Sequence, residues 1–299
     1  MSEISASSMS GALALPIQRP RWPISDLLFQ VAACLSILLG LSLVCTLLIQ
    51  ICYDGFPRLS WAFITNSPSR FADKAGIYCA LLGSAYLMLL TIAISLPLGV
   101  GAAIYLEEYA SRNFFTSVIE LNIANLAGVP SIIYGLLGLQ LFVRALSFDR
   151  SILSGALTLT ILILPVVIIA TREAIRAVPK SIREASIALG ATKWQTVRHH
   201  VLPVALPGIM TGCILAFSRA IGETAPLVTI GALSYIAHAP DSIFSDFTAL
   251  PIQIFNWVSR PQEAFHLNAA AAMVVLLGVL LILNSVAIWL RVRYQRRVR

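Results

Sequence analysis

The sequence predicts an all-α integral membrane protein with six transmembrane helices. Three observations support this fold class. The 299-residue chain is 58% hydrophobic and only 12% charged, whereas a soluble domain carries about a quarter charged residues. Its apolar residues form runs of the length that crosses a bilayer as a helix, about 20 residues. The Lys and Arg residues cluster at the ends of these runs, as expected for membrane proteins.

The first third of the chain contains a tail and two predicted spans. Residues 1–26 are Ser-rich and predict an N-terminal tail, and no small-residue cleavage site follows the first apolar run. That run, residues 27–52, is the first predicted span, and polar residues 53–75 form a periplasmic loop. The second span covers about residues 77–105. The main transmembrane domain is predicted over residues 76–295.

The middle of the chain holds two further spans and a different kind of helix. Residues 114–127 place Glu120 and two asparagines among apolar positions, which favours a helix at the membrane interface over a span. The third predicted span covers residues 130–146 and the fourth covers residues 152–170. A polar, basic stretch of residues 172–203 follows, which we call the polar segment.

The last third of the chain contains the fifth and sixth spans. The fifth is predicted from residue 203 to about residue 233, and a long loop covers residues 234–265. Within this loop, the apolar stretch 247–258 is expected to lie on the membrane surface. The sixth span covers about residues 266–290 and is followed by a basic tail.

The distribution of Lys and Arg predicts the orientation of these spans. Six spans place both termini on one side of the membrane. The two tails, residues 106–117 and residues 171–202 together hold 14 of the 21 Lys and Arg residues, whereas the opposite loops hold six. The positive-inside rule therefore predicts that both termini and the polar segment are cytoplasmic.

Local signals in the polar segment predict two short helices. Pro179 suits the first turn of a helix, and Gly190 can adopt the left-handed conformation that ends one. Thr192 lies three residues before Gln195, which is a capping-box pattern for a second helix. Pro203 is expected to close that helix. A plain solvated loop between two spans is the alternative.

The fifth predicted span contains two charged residues, Arg219 and Glu223. They are four residues apart, so they share a helix face. An ionised group at membrane depth costs a few kcal/mol or more unless it is paired or hydrated. The pair is therefore either an ion pair that holds the bundle or the lining of a water-filled path. Gly222 and Pro226 favour the path, because they weaken the helix beside the charges, and a guanidinium matches phosphate geometry.

The sequence does not predict a catalytic residue, a metal site or a cofactor site. The three lysines, Lys74, Lys180 and Lys193, do not follow the glycines of a Walker A motif. We therefore expect no ATPase site in this chain. His199 and His200 are adjacent, so they point about 100° apart on a helix, which does not suit shared metal ligation.

The five cysteines lie in or beside apolar runs and lack a CxxC spacing. We interpret them as small core residues. A disulfide between Cys52 and Cys79 is an open alternative, because both fall near the predicted outer face.

The polar segment resembles the EAA loop of bacterial ABC-importer permeases. The matching residues are Glu184, Ala185 and Ser186, then Gly190, then Leu202 and Pro203. Ser186 replaces the usual Ala, a change between small residues. In that family the loop docks into a groove of the ATP-binding subunit. The resemblance therefore implies a type I importer (MetI-like) permease fold, with ATPase-coupling roles for Glu184, Ala185, Gly190, Leu202 and Pro203.

Three other stretches resemble the PstA family of permease subunits from phosphate-uptake ABC importers. They are residues 219–227 (RAIGETAPL), 126–139 and 259–272, and the resemblance covers about residues 76–295. It implies a multi-pass protein of the bacterial inner membrane. The implied substrate-pathway residues are Arg219, Glu223, Thr224 and Arg172.

The resemblance also implies a transport complex. Its partners would be a PstC-like permease that forms a heterodimer with this chain, two PstB-like ATPase subunits and a periplasmic PstS-like phosphate-binding protein. ATP and Mg would be bound by the partner ATPase, and this chain would hold no cofactor.

Other functions remain open on the residues alone. One Arg does not identify an anion, so a permease for sulfate or molybdate is an alternative. A secondary transporter or channel could use Glu223 as its coupling carboxylate, although no inverted repeat is evident. A membrane-embedded enzyme is disfavoured, because no paired carboxylates, His cluster or nucleophile occur at a usable spacing.

Overall fold

A computed structural model describes residues 24–231, 236 and 238–298. These residues form twelve α-helices and no β-strand, with one isolated antiparallel bridge between Ser151 and Asp246. This confirms the predicted all-α fold class. The predicted N-terminal tail lies, up to residue 23, outside the described residues. The chain divides into two compact units, residues 1–50 and 51–299.

The first unit contributes most of helix α1, Ile24–Gly55. This helix of 32 residues is about 48 Å long at 1.5 Å per residue. It is therefore long enough to cross a bilayer, and the first predicted span is confirmed as a continuous helix.

The second unit contains the other eleven helices of the described chain. They are α2 (Trp61–Thr65), α3 (Tyr78–Ile104), α4 (Phe114–Ala127), α5 (Ser131–Gly138), α6 (Ile152–Arg176), α7 (Lys180–Ala188), α8 (Lys193–Thr196), α9 (Leu202–Gly222), α10 (Ala225–Ile230), α11 (Leu250–Val258) and α12 (Glu263–Val298). Three π-helical turns continue α3, α5 and α8, and they are Tyr105–Tyr109, Leu139–Ala145 and Val197–Val201.

Among the described residues, five helices are long and apolar enough to cross a membrane. A sixth crossing results if α4 is counted as one span together with α5 and its π turn. The axes of these two helical pieces are, however, bent by 103° relative to each other. The bounds of α4 coincide with the predicted interfacial helix, and its first turn is capped by Asn113, whose Oδ1 accepts a hydrogen bond from Thr116 N at 2.9 Å. Its position in the membrane stays a prediction.

Helix α6 lies at the centre of the second unit and packs against α3, α4, α5 and α9. Its buried Thr158 donates to the Ser154 carbonyl one turn earlier at 2.8 Å. In α3, Thr91 and Ser95 donate in the same way to Leu87 O and Thr91 O, at 2.7 and 2.6 Å. These hydroxyls therefore lie between helices without leaving an unpaired polar group in an apolar environment.

Most of the apolar stretch 247–258 is buried against the rest of the protein, so its predicted position on the membrane surface is wrong for all but Phe255 and Val258, which are 47% and 50% exposed. Phe247, Leu250 and Trp257 are at most 2% exposed. The Trp257 ring lies 6.0 Å from the Phe63 ring, and α11 packs against α3 and α12. Each such side chain contributes about 1.5–3 kcal/mol when it is buried from water. Apolarity alone does not distinguish contact with lipid from contact with neighbouring helices.

The second helix of the polar segment does not end at Pro203, contrary to the prediction. The chain is helical without interruption from Lys193 to Gly222. A π turn, Val197–Val201, lies immediately before Pro203. Its altered carbonyl register accommodates the proline ring, which would otherwise clash with the preceding helical turn.

The cysteines do not form the disulfide that the sequence left open. Cys52 and Cys79 are both free thiols. Cys79 is buried, and its Sγ lies 3.7 Å from Ser67 Oγ. Cys213 is also buried, among the apolar side chains between α6 and α9. The interpretation as small core residues therefore fits Cys79 and Cys213, but it is wrong for Cys34 and Cys45 of α1, which are exposed.

Gly83 of α3 provides a test of this packing. A Cβ at position 83 would overlap the Thr248 carbonyl oxygen, which is a backbone atom. Gly83→Ala should therefore lower the free energy of unfolding by about 1–3 kcal/mol, measured as a lower Tm in detergent. Gly101→Ala in the same helix is the control, because a Cβ there meets nothing within 4 Å. Equal melting temperatures for the two variants would contradict the packing of α3 on the chain before α11.

Candidate functional site

The two charged residues of the fifth predicted span form an ion pair. Arg219 lies in the last turn of α9, and its Nε donates to Glu223 Oε1 at 3.0 Å. The two side chains therefore meet, as their spacing of four residues predicts, although Glu223 lies past the end of the helix and not on a helix face. Glu223 is the first residue past α9 and has an extended backbone, with φ −72° and ψ 119°. The pair therefore lies where the helix ends.

The fifth span, predicted to run towards residue 233, is broken at the pair. The break lies between Gly222 and Pro226, the two residues that were expected to weaken the helix there. Helix α9 ends at Gly222, and α10 begins at Ala225 with Pro226 in its first turn. Pro226 has no N–H to donate to the Gly222 carbonyl one turn earlier, so the α-helical ladder cannot pass through this point. Helix α10 ends at Gly231, whose φ of +96° is left-handed. Residues 232 and 233 lie outside the described residues.

Arg219 lies on the exposed face of α9. Its side chain is 51% exposed and that of Glu223 is 15% exposed. Val204 and Leu215 are exposed on the same helix face. An Arg that faces hydrocarbon costs about 2.5–3.5 kcal/mol or more. We therefore infer that this face of α9 meets water or another protein chain.

Helix α5 holds the broken span in place from the other side. A Cβ at Gly135 would overlap Thr229 and the Pro226 backbone, so α5 and α10 cross in close contact. Tyr134 is buried beside Ala220 of α9, and its hydroxyl donates to the Leu126 carbonyl at 2.7 Å. These contacts fix the position of both helices that flank the Arg219–Glu223 pair.

Two polar, uncharged residues, Ser218 and Thr224, flank the pair in the sequence. The Oγ1 of Thr224, a predicted pathway residue, lies 3.5 Å from the Gly222 carbonyl, which is a long hydrogen bond. Ser218 is hydrogen-bonded to Asn284 Oδ1, which links α9 to α12. The sequence analysis did not single out Ser218 or Asn284. Both are polar residues within apolar runs, and Ser218 is also next to Arg219 in the sequence. This pattern could have pointed to them.

The structure does not bring Arg172 to this pair. Helices α6 and α9 are antiparallel, because Ile175 packs with Val201 and Ile163 packs with Ala220. A Cβ at Gly208 would overlap Ala174 and one at Gly212 would overlap Ala170. Arg172 is therefore level with about residue 210, in the middle of α9, whereas Arg219 is near the end of α9. The two arginines are thus separated along the bundle.

Arg172 is instead held by carboxylates. It is 9% exposed. Its Nη2 donates to Glu120 Oε1 at 2.6 Å, and its Nε lies 3.5 Å from Glu107 Oε2. Glu107 also accepts from Arg176, at 2.9 Å. These four side chains line a polar cavity of about 250 Å³. This cluster joins α4, α6 and the π turn after α3.

The polar segment has the two helices that the sequence predicts. Gly190, between α7 and α8, has φ +85°, the left-handed conformation that glycine tolerates without strain. The capping box is present, since Gln195 N donates to Thr192 Oγ1 at 3.3 Å and Thr192 N donates to Gln195 Oε1 at 2.8 Å. The two signals together specify a sharp helical corner.

Ser186 stands where the EAA motif usually has Ala, and it makes a hydrogen bond that Ala could not make. Its hydroxyl is hydrogen-bonded to the Thr196 hydroxyl at 2.9 Å, and both residues are at most 5% exposed. This bond joins α7 to α8. An Ala at position 186 would leave the buried Thr196 hydroxyl with only its bond to the Thr192 carbonyl.

The outer surface of the polar segment is partly apolar. Leu189 is 90% exposed, and Ile187 and Trp194 are 56% and 54% exposed. Glu184 and Ala185 are also exposed beside them. Large apolar side chains exposed within a polar segment are typical of a protein-binding surface. Leu202, by contrast, packs among the buried residues between α6 and α9 and does not lie on this surface.

Comparison with known proteins identifies the family. A family model described as "Binding-protein-dependent transport system inner membrane component" matches residues 95–299. The chain belongs to this family. It is therefore a multi-pass permease subunit of an ABC importer, and the secondary transporter and the membrane enzyme are set aside.

Several relatives resemble this permease over most of its length. It is 36% identical over 251 residues to the "Probable ABC transporter permease protein YqgI" of Bacillus subtilis, which covers 79% of this permease and 85% of the relative. It is 36% identical over 232 residues to "Phosphate transport system permease protein PstA 1" of Mycobacterium tuberculosis, with coverage of 78% and 74%. With PstA of Xylella fastidiosa it shares 33% identity over 262 residues, and coverage is 87% and 90%.

Solved structures of ABC importers share the fold of this permease. A bacterial importer of the acidic polysaccharide alginate aligns with a TM-score of 0.64 at 14% identity, covering 90% of the permease and 96% of that chain. The inward-facing MetNI methionine transporter aligns with a TM-score of 0.52 at 18% identity, covering 75% and 94%. The predicted type I, MetI-like fold is therefore confirmed.

Because Arg172 is paired with carboxylates, its substitution should strongly lower the stability of the permease. Arg172→Met should lower the free energy of unfolding by about 3 kcal/mol, because breaking a buried ion pair leaves a charge without a partner. The measurement is the Tm of the purified permease in detergent. Arg144→Met is the control, because Arg144 is exposed and bonds only Gln140 among the described residues, so a change of about 0–1 kcal/mol is expected. A small effect at both positions would contradict a structural role for the Arg172 cluster.

Proposed function

We propose that this permease is one membrane subunit of an ATP-driven phosphate importer. It forms half of the translocation path and couples to an ATPase through the polar segment. The observation that carries the proposal is the Arg219–Glu223 pair at the break between α9 and α10, on an exposed helix face. The PstA relatives, whose names specify phosphate transport, support phosphate as the substrate.

The geometry of the pair suits transient binding of an oxyanion. Arg219 uses its Nε to hold Glu223, and neither of its Nη groups has an acceptor among the described residues, so both can donate to phosphate oxygens. Glu223 partly neutralises the guanidinium. Transport requires that the anion bind strongly enough to enter the path and weakly enough to leave it. An Arg whose charge is partly neutralised by Glu223 would bind an anion with such intermediate affinity. Sulfate and molybdate offer similar oxygens, and selection among them is assigned to the binding protein.

Family membership implies an ATPase and a substrate-binding protein as partners. In finer detail, we propose a heterodimer with a PstC-like permease, two PstB-like ATPase subunits and a periplasmic PstS-like phosphate-binding protein. The ATPase subunits would bind ATP and Mg. Both termini and the polar segment would be cytoplasmic, as the Lys and Arg distribution predicts. The exposed face of α9 would then line the path between the two permease subunits.

The continuous helix from Lys193 to Gly222 provides a route for coupling. The ATPase would contact the exposed surface of α7 and α8, where Glu184, Ala185 and Leu189 lie. Any displacement of α8 passes along the helix to Arg219, because there is no break before Gly222. Leu202 and Pro203 lie within this helix, so they would transmit the motion rather than contact the ATPase. Arg172 would line the cytoplasmic end of the path together with its carboxylate partners.

Gly190 provides a test of the coupling role. Gly190→Val should abolish both phosphate uptake and stimulation of the ATPase, because a β-branched residue does not tolerate φ +85° and the corner between α7 and α8 would change. Membrane insertion should be retained. Ala188→Val in the last turn of α7 is the control and should retain uptake. Normal uptake by the Gly190 variant would exclude the coupling assignment.

Arg219 provides a test of the path. Arg219→Leu should lower phosphate flux by about 10- to 100-fold, the loss expected for one or two hydrogen bonds from a charged group. Flux is measured as ATP-dependent uptake of labelled phosphate into proteoliposomes that contain the co-purified complex, with sulfate as a competitor. Assembly with the ATPase should be retained. Arg144→Leu is the control. If flux with Arg219→Leu equals that of the wild type, the pair only holds the bundle.

A further inference from the structure

Arg183 of α7 connects three parts of the permease. Its Nε and Nη2 donate to Glu108 Oε1 at 3.0 and 2.8 Å. Its Nη1 donates to the Val178 carbonyl at 2.8 Å, and Nη2 also donates to the Ile175 carbonyl at 2.9 Å. The side chains of Arg183 and Glu108 are only 20% and 9% exposed. One guanidinium therefore holds α7, the end of α6 and the π turn after α3.

A second contact reaches the same π turn from α8. The Lys193 ammonium lies 5.1 Å from the centre of the Tyr109 ring, within the range of a cation–π interaction. Helices α7 and α8 are themselves joined by the Ser186–Thr196 hydrogen bond. Both helices of the polar segment thus contact the end of α3 through charged side chains.

The π turn makes these contacts possible. It places two consecutive carboxylates where they bind different partners. Glu107 pairs with Arg172 and Arg176 of α6, and Glu108 pairs with Arg183 of α7. Such turns insert an extra residue into a helix and are frequent at functional sites.

The polar segment is attached to its neighbouring spans in two different ways. Helix α6 is joined to α7 by the chain itself, through residues 177–179, and α8 continues into α9 as one helix. Helix α3 has no such covalent link to the polar segment, since α4 and α5 come between them in the sequence. Side-chain contacts at Glu108 and Tyr109 join it to α7 and α8, in addition to the packing of α3 on α6 and α9.

We propose that Arg183 and Glu108 are a positioning pair that makes α3 move with the polar segment when the partner ATPase acts. This inference rests on the proposed function. Displacement of α7 by the ATPase pulls α6 and α9 through the chain and pulls α3 through this ion pair. Without the pair, α3 follows only through its packing on α6 and α9 and lags behind α7, so the path opens incompletely while ATP is still hydrolysed.

The test measures phosphate transported per ATP hydrolysed. The complex of permease, ATPase and binding protein is purified and reconstituted into proteoliposomes. Arg183→Ala and Glu108→Ala should each lower this ratio about tenfold, within the usual range for coupling free energies, while ATP hydrolysis stays within about twofold of the wild type. The double variant should be no worse than either single variant, because both remove the same interaction. Glu173→Gln is the control, since Glu173 is exposed and its one ion pair among the described residues is with Arg176 of the same helix.

The outcomes separate this inference from the proposed function. If hydrolysis, transport and complex yield fall together in Arg183→Ala, so that the ratio is unchanged, the pair is structural and the inference is overturned. If Arg183→Ala does not assemble, Glu108→Gln replaces it, because Gln still accepts a hydrogen bond but carries no charge. An unchanged ratio in that variant also overturns the inference. If the wild-type complex shows no ATP-dependent phosphate uptake, the proposed function itself fails.

Discussion

A charged side chain in an apolar environment needs a partner, and the organisation of this permease depends on that constraint. Arg172, Arg183 and Arg219, which lie within or at the end of its helices, each pair with a Glu. An uncompensated charge at such positions would cost several kcal/mol. The partners belong to other helices in the first two cases, so the same constraint that neutralises the charges also joins α3, α4, α6 and α7.

The Arg219–Glu223 pair differs from the others because it bridges a break rather than two helices. Arg219 is half exposed, whereas Arg172 is buried. A buried, doubly paired Arg stabilises a fixed arrangement, and its guanidinium has little capacity left for a ligand. A half-exposed Arg with one partner retains free donors. The two arginines that the resemblance assigns to the path therefore differ in chemistry, with Arg219 suited to contact an anion and Arg172 suited to hold the helices around it.

The sequence predicts the features of this fold that depend on local chemistry. The apolar runs, the left-handed Gly190, the capping box at Thr192 and the pairing of Arg219 with Glu223 are all specified by neighbouring residues. The errors concern packing between distant segments. The stretch 247–258 is apolar enough for a membrane surface, but most of it is buried against α3 and α12. The carboxylate partners of Arg172 and Arg183 lie more than fifty residues away, so single-sequence patterns do not reveal them.

The helical continuity past Pro203 alters how force would pass through the permease. A helix that ended at Pro203 would let the polar segment swing independently of α9. In the structure, a π turn keeps the two continuous as far as Gly222, and the break lies instead at Glu223, beside the charged pair. The break in the helix is thus at the proposed substrate contact and not at the proposed ATPase contact. A rigid connection from α8 that ends at the only break in this helix would concentrate any displacement on Arg219, where an anion would be held or released.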